Sequence, residues 1–297
     1  MAVYKRTYKA YSGALTPAWS RFTVLSRYGL GNLFSSRPFA AFTVLCFLPF
    51  LGWLIAIYMV HSSTAQLVLG IQFNARESTV SNFWFLTFMG TISWMGFILA
   101  AWGGPGMITR DFANHSVQLY LSRPLSRVEY LFGKSSVMFI LLSCISWIPG
   151  LVLFFVQAGL EGNGWVWRNL WIAGAVVLSS LIGIAMVSLL SMAVAVWVKW
   201  RIAATALMFA VFFLIPVMGE VISLILQTRW GHLLNFPMMF MIICAHLFRI
   251  PAMGPGGMGR GFYVVPVWAA WMSALGLCAI CFSLLNRKLK AREVERS

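Results

Sequence analysis

Asp111–Lys134 reads DFANHSVQLYLSRPLSRVEYLFGK and is a polar island in a very apolar chain. Uncharged runs flank it at about 80–102 and 135–157. Each is long enough to cross a bilayer, which takes roughly 20 apolar residues as a helix. The island itself carries the punctuation of two helices joined by a turn. Ile108, Phe112, Ser116 and Leu119 fall on one helical stripe, with Arg110, Asp111, Asn114 and Gln118 elsewhere, a short amphipathic helix. Arg123-Pro124 breaks it. Ser126 and Glu129 then form a capping box that starts the next helix. The spacing therefore predicts helix, elbow, helix at a membrane surface, either as a device that passes motion to the spans or as a plain connector.

The rest of the chain is built around that membrane reading. Of 297 residues 60% are hydrophobic and only 10% charged, against about 25% charged in a soluble domain. The fold class is an all-α polytopic membrane protein; a membrane β-barrel would show short alternating segments. The net charge of +15 has no interleaved aromatic-basic patch or nucleic-acid motif beside it, so no nucleic-acid partner is expected. It reads as the basic flanks of membrane spans.

Six spans are expected, at about 39–60, 80–102, 135–157, 169–198, from near Ile202 through Gly219-Glu220, and 264–285. Pro149-Gly150 predicts a kink in the third. Gly90, Ser93, Gly96 and Ala100 in the second, and Ser179, Gly183, Ser188 and Ser191 in the fourth, give small-residue faces for close helix approach. Residues 1–38 form a basic N-terminus. Thr16-Pro17 opens an interfacial helix there, with Trp19, Phe22, Leu25 and Leu33 at near-helical spacing. Residues 39–285 are the membrane domain and 286–297 a basic tail.

Charge sets the expected orientation. With both termini cytoplasmic, 17 of the 22 basic residues lie inside, as the positive-inside bias requires. An odd seventh span at 233–248 would place the basic tail outside. Residues 221–263, broken at Asn235-Phe236-Pro237, are therefore read as an outer element of short re-entrant or interfacial helices.

Glu220 is the one formal charge within the fifth span. A mid-membrane carboxylate costs ~2.5–3.5 kcal/mol on insertion scales, so one that is retained usually has a use. It is a candidate gate or translocation-path residue, or it lies at the outer interface. Phe132-Gly133-Lys134-Ser135 resembles the end of a phosphate-binding loop, but Val128 stands where the first Gly of G-x-x-x-x-G-K-[ST] belongs. No ATP site is expected in this chain. No metal site is expected either: Cys278 and Cys281 lack a second pair or nearby His. Met238, Met239, Met241, Met253 and Met258, with His232 and His246, suit Cu(I) only weakly against their role as apolar filler.

The island resembles the cytoplasmic loop of permease subunits in type-2 ABC exporters, in the NosY-like branch. The matching positions are Asp111, then Pro124-Leu125-Ser126-Arg127, then Gly133-Lys134. The pattern departs at Asn114–Gln118, where the family often has Gly-Thr and a second acid. The resemblance implies a coupling helix over Ile108–Leu121 that seats in a separate ATPase. Ile108, Arg110, Asp111, Phe112, His115, Gln118, Leu119, Arg123 and Arg127 are then the ATPase-binding candidates. It also implies a homodimer in the inner membrane, with ATP and Mg held by the partner ATPase and no cofactor of its own. The rival readings are a polytopic membrane enzyme and a non-transporting anchor that drives an extracellular machine.

Overall fold

The computed structural model describes residues 21–62, 81–113, 127–162, 164–198, 200–250 and 265–294. Among them there is no strand. Six segments are long and apolar enough to cross a membrane: Arg37–His61, Asn82–Met107, Glu129–Glu161, Trp165–Trp197, Arg201–Ile225 and Val267–Lys288. The chain is thus the polytopic helical membrane protein that composition predicts.

Helix α1 (Arg21–Phe34) precedes the first span. Its Leu25, Ser26 and Gly29 are buried, whereas Val24, Tyr28 and Phe34 are exposed. The first span is made of α2 (Arg37–Leu45) and α3 (Leu48–His61), broken at Cys46-Phe47. Pro49 explains the break, because it lacks an N–H and is tolerated only in a first helical turn. The span read at about 39–60 is present as Arg37–His61, with this break inside it that the sequence reading does not foresee.

Helix α4 (Asn82–Ala113) runs 32 residues without interruption, straight through Pro105. This differs from the expectation of a span ending near 102 and a separate helix from 108. The third span is again two pieces, α5 (Arg127–Ile145) and α6 (Trp147–Glu161), parted at Ser146. The proline ring of Pro149 clashes with the carbonyl four residues back, so the kink falls just ahead of the Pro149-Gly150 pair that predicts it. Helix α5 is described from Arg127, and Ser126 of the expected capping box lies outside the described residues.

Helix α7 (Trp165–Trp197) is the axis of the bundle. It packs against α4, α5, α6, α8 (Arg201–Ile225), α9 (Phe236–Leu247) and α10 (Val267–Val294). Small residues make this possible. A side chain on Gly104 of α4 would collide with the hydroxyl of Ser191 on α7, and one on Gly183 would press on Phe240 of α9 at 3.1 Å. Between helices in lipid such close van der Waals packing, rather than a hydrophobic drive, holds neighbours together. The first span is the most peripheral, with 17% of its apolar window buried against 50% for the α7 span.

Between α8 and α10 the chain forms the short helices expected of the outer element. A 3-10 turn (Trp230–Leu234) folds back onto α8, where Gly219 and Gly231 meet backbone to backbone. Helix α9 follows. Its N-cap is Asn235, whose Oδ1 accepts from Met238 N at 3.0 Å. The Asn-Phe-Pro triplet that reads as a break is therefore a capped helix start, with Pro237 in the first turn.

Candidate functional site

The two ends of the bundle differ in charge. One end gathers the C-terminus of α4, the N-termini of α5 and α8, and the basic part of α10, where Lys288 lies over the Trp197 ring at 4.9 Å. This basic end is where the polar island attaches. Ile108, Arg110, Asp111 and Phe112 lie on the last two turns of α4, and Arg127 is the first residue of α5. Their side chains, and His115, Gln118, Leu119 and Arg123 altogether, fall outside the described residues.

What the structure does describe is how this end is braced. Pro105 cannot donate to the carbonyl of Ala101. Thr205 Oγ1 on α8 donates to that oxygen instead, at 3.1 Å. One residue on, Arg201 Nη2 donates to the carbonyl of Trp102 at 3.4 Å. Gly106 lets the Arg201 side chain lie against α4, since a Cβ there would be 2.9 Å from Arg201 Nε. On the other flank Lys134 Nζ donates to the Met107 carbonyl at 3.4 Å. Ser26 of α1 donates to the Gly133 carbonyl at 3.2 Å and bonds the Ser136 hydroxyl. So α8 and α5 converge on the final turns of α4, and α1 is tied to α5. The Gly133-Lys134 pair sits in mid-helix and not in a phosphate-cradling loop.

Arg201 and Thr205 are the contact residues at this end that sequence reading misses. The signal was a proline inside a long apolar helix, which requires an external donor for the orphaned carbonyl. Nothing local indicates that the donor lies a hundred residues further on.

At the opposite end, α8 continues past Glu220 to Ile225, so the carboxylate is within the helix and not beyond its end. Its 19-residue distance from the start of α8 corresponds to about 28 Å. That puts it near the far edge of a hydrocarbon core about 30 Å thick. Glu220 is exposed and accepts from Asn235 Nδ2 at 3.3 Å. Asn235 thus ties the α8 carboxylate to the N-terminus of α9. Nearby ends are held by His61 and Glu161 at 3.3 Å, with Gln157 Nε2 also donating to Glu161 at 3.0 Å. Arg249 lies over the Trp171 ring at 4.5 Å.

The methionine and histidine set of the outer element differs in exposure. Met239 is fully buried, Met238 and Met241 are half-buried, His246 is exposed, and Met253 and Met258 fall outside the described residues. Among the described residues no three of His, Cys, Asp and Glu come together as a metal site. The five cysteines are free.

No curated protein matches the chain. The sequence model of the ABC-2 family transporter proteins matches residues 29–284, from α1 to the last turns of the sixth span. This membrane protein of six spans belongs to the ABC-2 transporter family.

Proposed function

We propose that the chain is the membrane-spanning permease of an ATP-driven exporter in the NosY-like branch. It works as a homodimer with two copies of a separate ATPase, which holds the ATP and Mg. Both termini and the polar island lie in the cytoplasm, and the membrane is the inner membrane. Residues 1–38 serve as the interfacial N-terminus, 39–285 as the membrane domain and 286–297 as the tail. Ile108–Leu121 is the segment that docks on the ATPase, with Asp111 within it and Arg127 beyond it at the start of α5.

One observation carries this reading: α4 is a single helix from Asn82 to Ala113, about 48 Å by its rise per residue. It is longer than the roughly 30 Å core, so it brings the start of the polar island out of the bilayer without a joint. A push on that island moves α4 as a body. The Thr205 and Arg201 contacts carry α8 with it, so the second and fifth spans shift together along the translocation path.

The test is to purify the chain with its co-expressed genomic neighbours and ask whether an ATPase copurifies. Asp111→Lys or Arg127→Glu is expected to weaken that association at least tenfold. Export that continues with neither an ATPase nor an effect of these reversals overturns the proposal.

A further inference from the structure

A cavity of about 350 Å³ lies between α4, α5, α7, α8, α9 and α10. Its size falls in the ~300–1,000 Å³ range of small-molecule sites. The lining comes from the middle of each span: Met89–Phe97 on α4, Leu142–Ser146 at the α5–α6 break, Ser180–Leu190 on α7, Val211 and Phe212 on α8, and Leu277 on α10. The cavity therefore sits at mid-depth in the hydrocarbon core. The first turns of α9 form one wall with Phe236, Met238 and Met241.

Its chemistry is one-sided. No charged residue lines it. Its three hydroxyls are turned to their own surroundings: Ser93 Oγ donates to the Met89 carbonyl at 2.6 Å, Ser146 Oγ to the Leu142 carbonyl at 2.7 Å, and Ser180 Oγ to Met89 Sδ at 3.9 Å. A water or a polar headgroup would find only three hydroxyl oxygens whose protons are already given, too few to offset its burial, so the lining favours apolar guests. A cation held by thioethers alone would have no compensating charge.

Four methionines, Met89, Met186, Met238 and Met241, contribute to the walls. Unbranched thioethers adapt to a flexible guest better than branched aliphatics do. Trp94 is the exposed member of the lining, at 47%. It packs on Phe212 and Phe213 of α8 at ring distances of 5.4 and 5.9 Å. The cavity is thus exposed at the α4–α8 seam, beside the two spans assigned above to the path.

We infer that this cavity binds a single alkyl chain, entering sideways from the bilayer past Trp94. The inference deepens the transporter reading and rests on it for the role of the chain, though not for its binding. The chain could belong to a resident phospholipid or to an amphiphilic cargo; the chemistry recognised is the same.

The experiment reconstitutes the full-length protein, with and without its ATPase, in nanodiscs containing phosphatidylcholine with a diazirine near the end of one acyl chain. After illumination, labelled peptides are mapped. Label is expected within Met89–Phe97 and Phe236–Met241. Val187→Trp, which fills the cavity without removing a polar contact, should cut that label at least fivefold. Leu214→Trp, of equal size on an exposed face of α8, should leave it unchanged. If the tryptophan plug is lost on gel filtration, Val187→Phe takes its place. Cavity segments that stay unlabelled while Leu214 is labelled, or label that ignores a folded plug, overturn the inference. With the ATPase present, label chased out by ATP assigns the chain to cargo, and label that persists assigns it to resident lipid; both keep the site. Label found in a chain that binds no ATPase sinks the exporter reading alone.

Discussion

Thr205 on α8 donates its hydroxyl to the carbonyl of Ala101 on α4 at 3.1 Å, the acceptor that Pro105 leaves without its helical partner. A local defect in one span is thereby converted into a contact between two. In water such a bond is replaceable by solvent. In the bilayer core it is not, so the donor must come from a neighbour.

Thr205→Val removes that donor and keeps the shape. The expected cost is about 1 kcal/mol, the scale of interhelical hydrogen bonds in membranes. Thermal unfolding in detergent should shift down by a few degrees, and Thr205→Ser should restore it. If α8 follows α4 through this bond, the variant binds the ATPase normally but the complex gives less transport per ATP hydrolysed. An unchanged ratio would show that α8 moves by other contacts.

Gly104 and Ser191 should behave as a coupled pair. A Cβ at position 104 would strike the Ser191 hydroxyl, and overpacking of this kind typically costs about 1–3 kcal/mol. Gly104→Ala is expected to destabilise by that amount, and Ser191→Gly in the same chain to recover most of it. The double-mutant cycle reads the coupling directly. Additive effects would show that α4 and α7 do not meet there.

At Gly219 the obstacle is backbone. A Cβ would lie 2.5 Å from the Gly231 carbonyl oxygen, which no side-chain rotation relieves. Gly219→Ala should therefore unseat the 3-10 turn, seen as protease cleavage between Ile225 and Asn235. Gly174→Ala, which meets nothing within 4 Å, is the matched control and should be neutral or slightly stabilising.

Asn235 has two jobs that substitution can separate. Asn235→Asp keeps the cap acceptor for Met238 N but sets a second carboxylate beside Glu220. Like charges disfavour each other's ionised form. The variant should be destabilised at neutral pH and recover as the pH falls and one carboxylate takes a proton. Asn235→Ala loses both contacts, about 0.5–2 kcal/mol for the cap, with no recovery in acid. Unfolding followed against pH distinguishes them.

How much of this could be read from residues alone differs by feature. The spans follow from composition, because nothing but a bilayer accommodates uncharged runs of that length. The Ser146 break follows from Pro149. The same rule applied to Pro49 would have found the break at Cys46-Phe47, and applied to Pro105 it misleads. There the helix runs on, and Thr205 serves the Ala101 carbonyl that Pro105 leaves without its partner, a tertiary contact with no local trace. The position of Glu220 was open because it depends on how far α8 runs, and the small apolar residues after Pro216 set no stop. Of the small-residue faces, Ser191 and Gly183 do lie at close contacts, with Gly104 and with Phe240. Yet Gly90, Ser93, Gly96 and Gly183 also line a void, and a void is a property of six helices at once.

The contact at Gly104 has a mechanical consequence. If α4 turns about the place where it bears on Ser191, it is a lever with unequal arms. Ala113 lies nine residues on one side and Asn82 twenty-two on the other, about 14 Å and 33 Å at a helical rise. A displacement of ~1 Å at the short arm becomes ~2.4 Å at the long one, by the ratio of those lengths. A small stroke delivered at one face of the membrane would then open a gap wide enough to matter at the other.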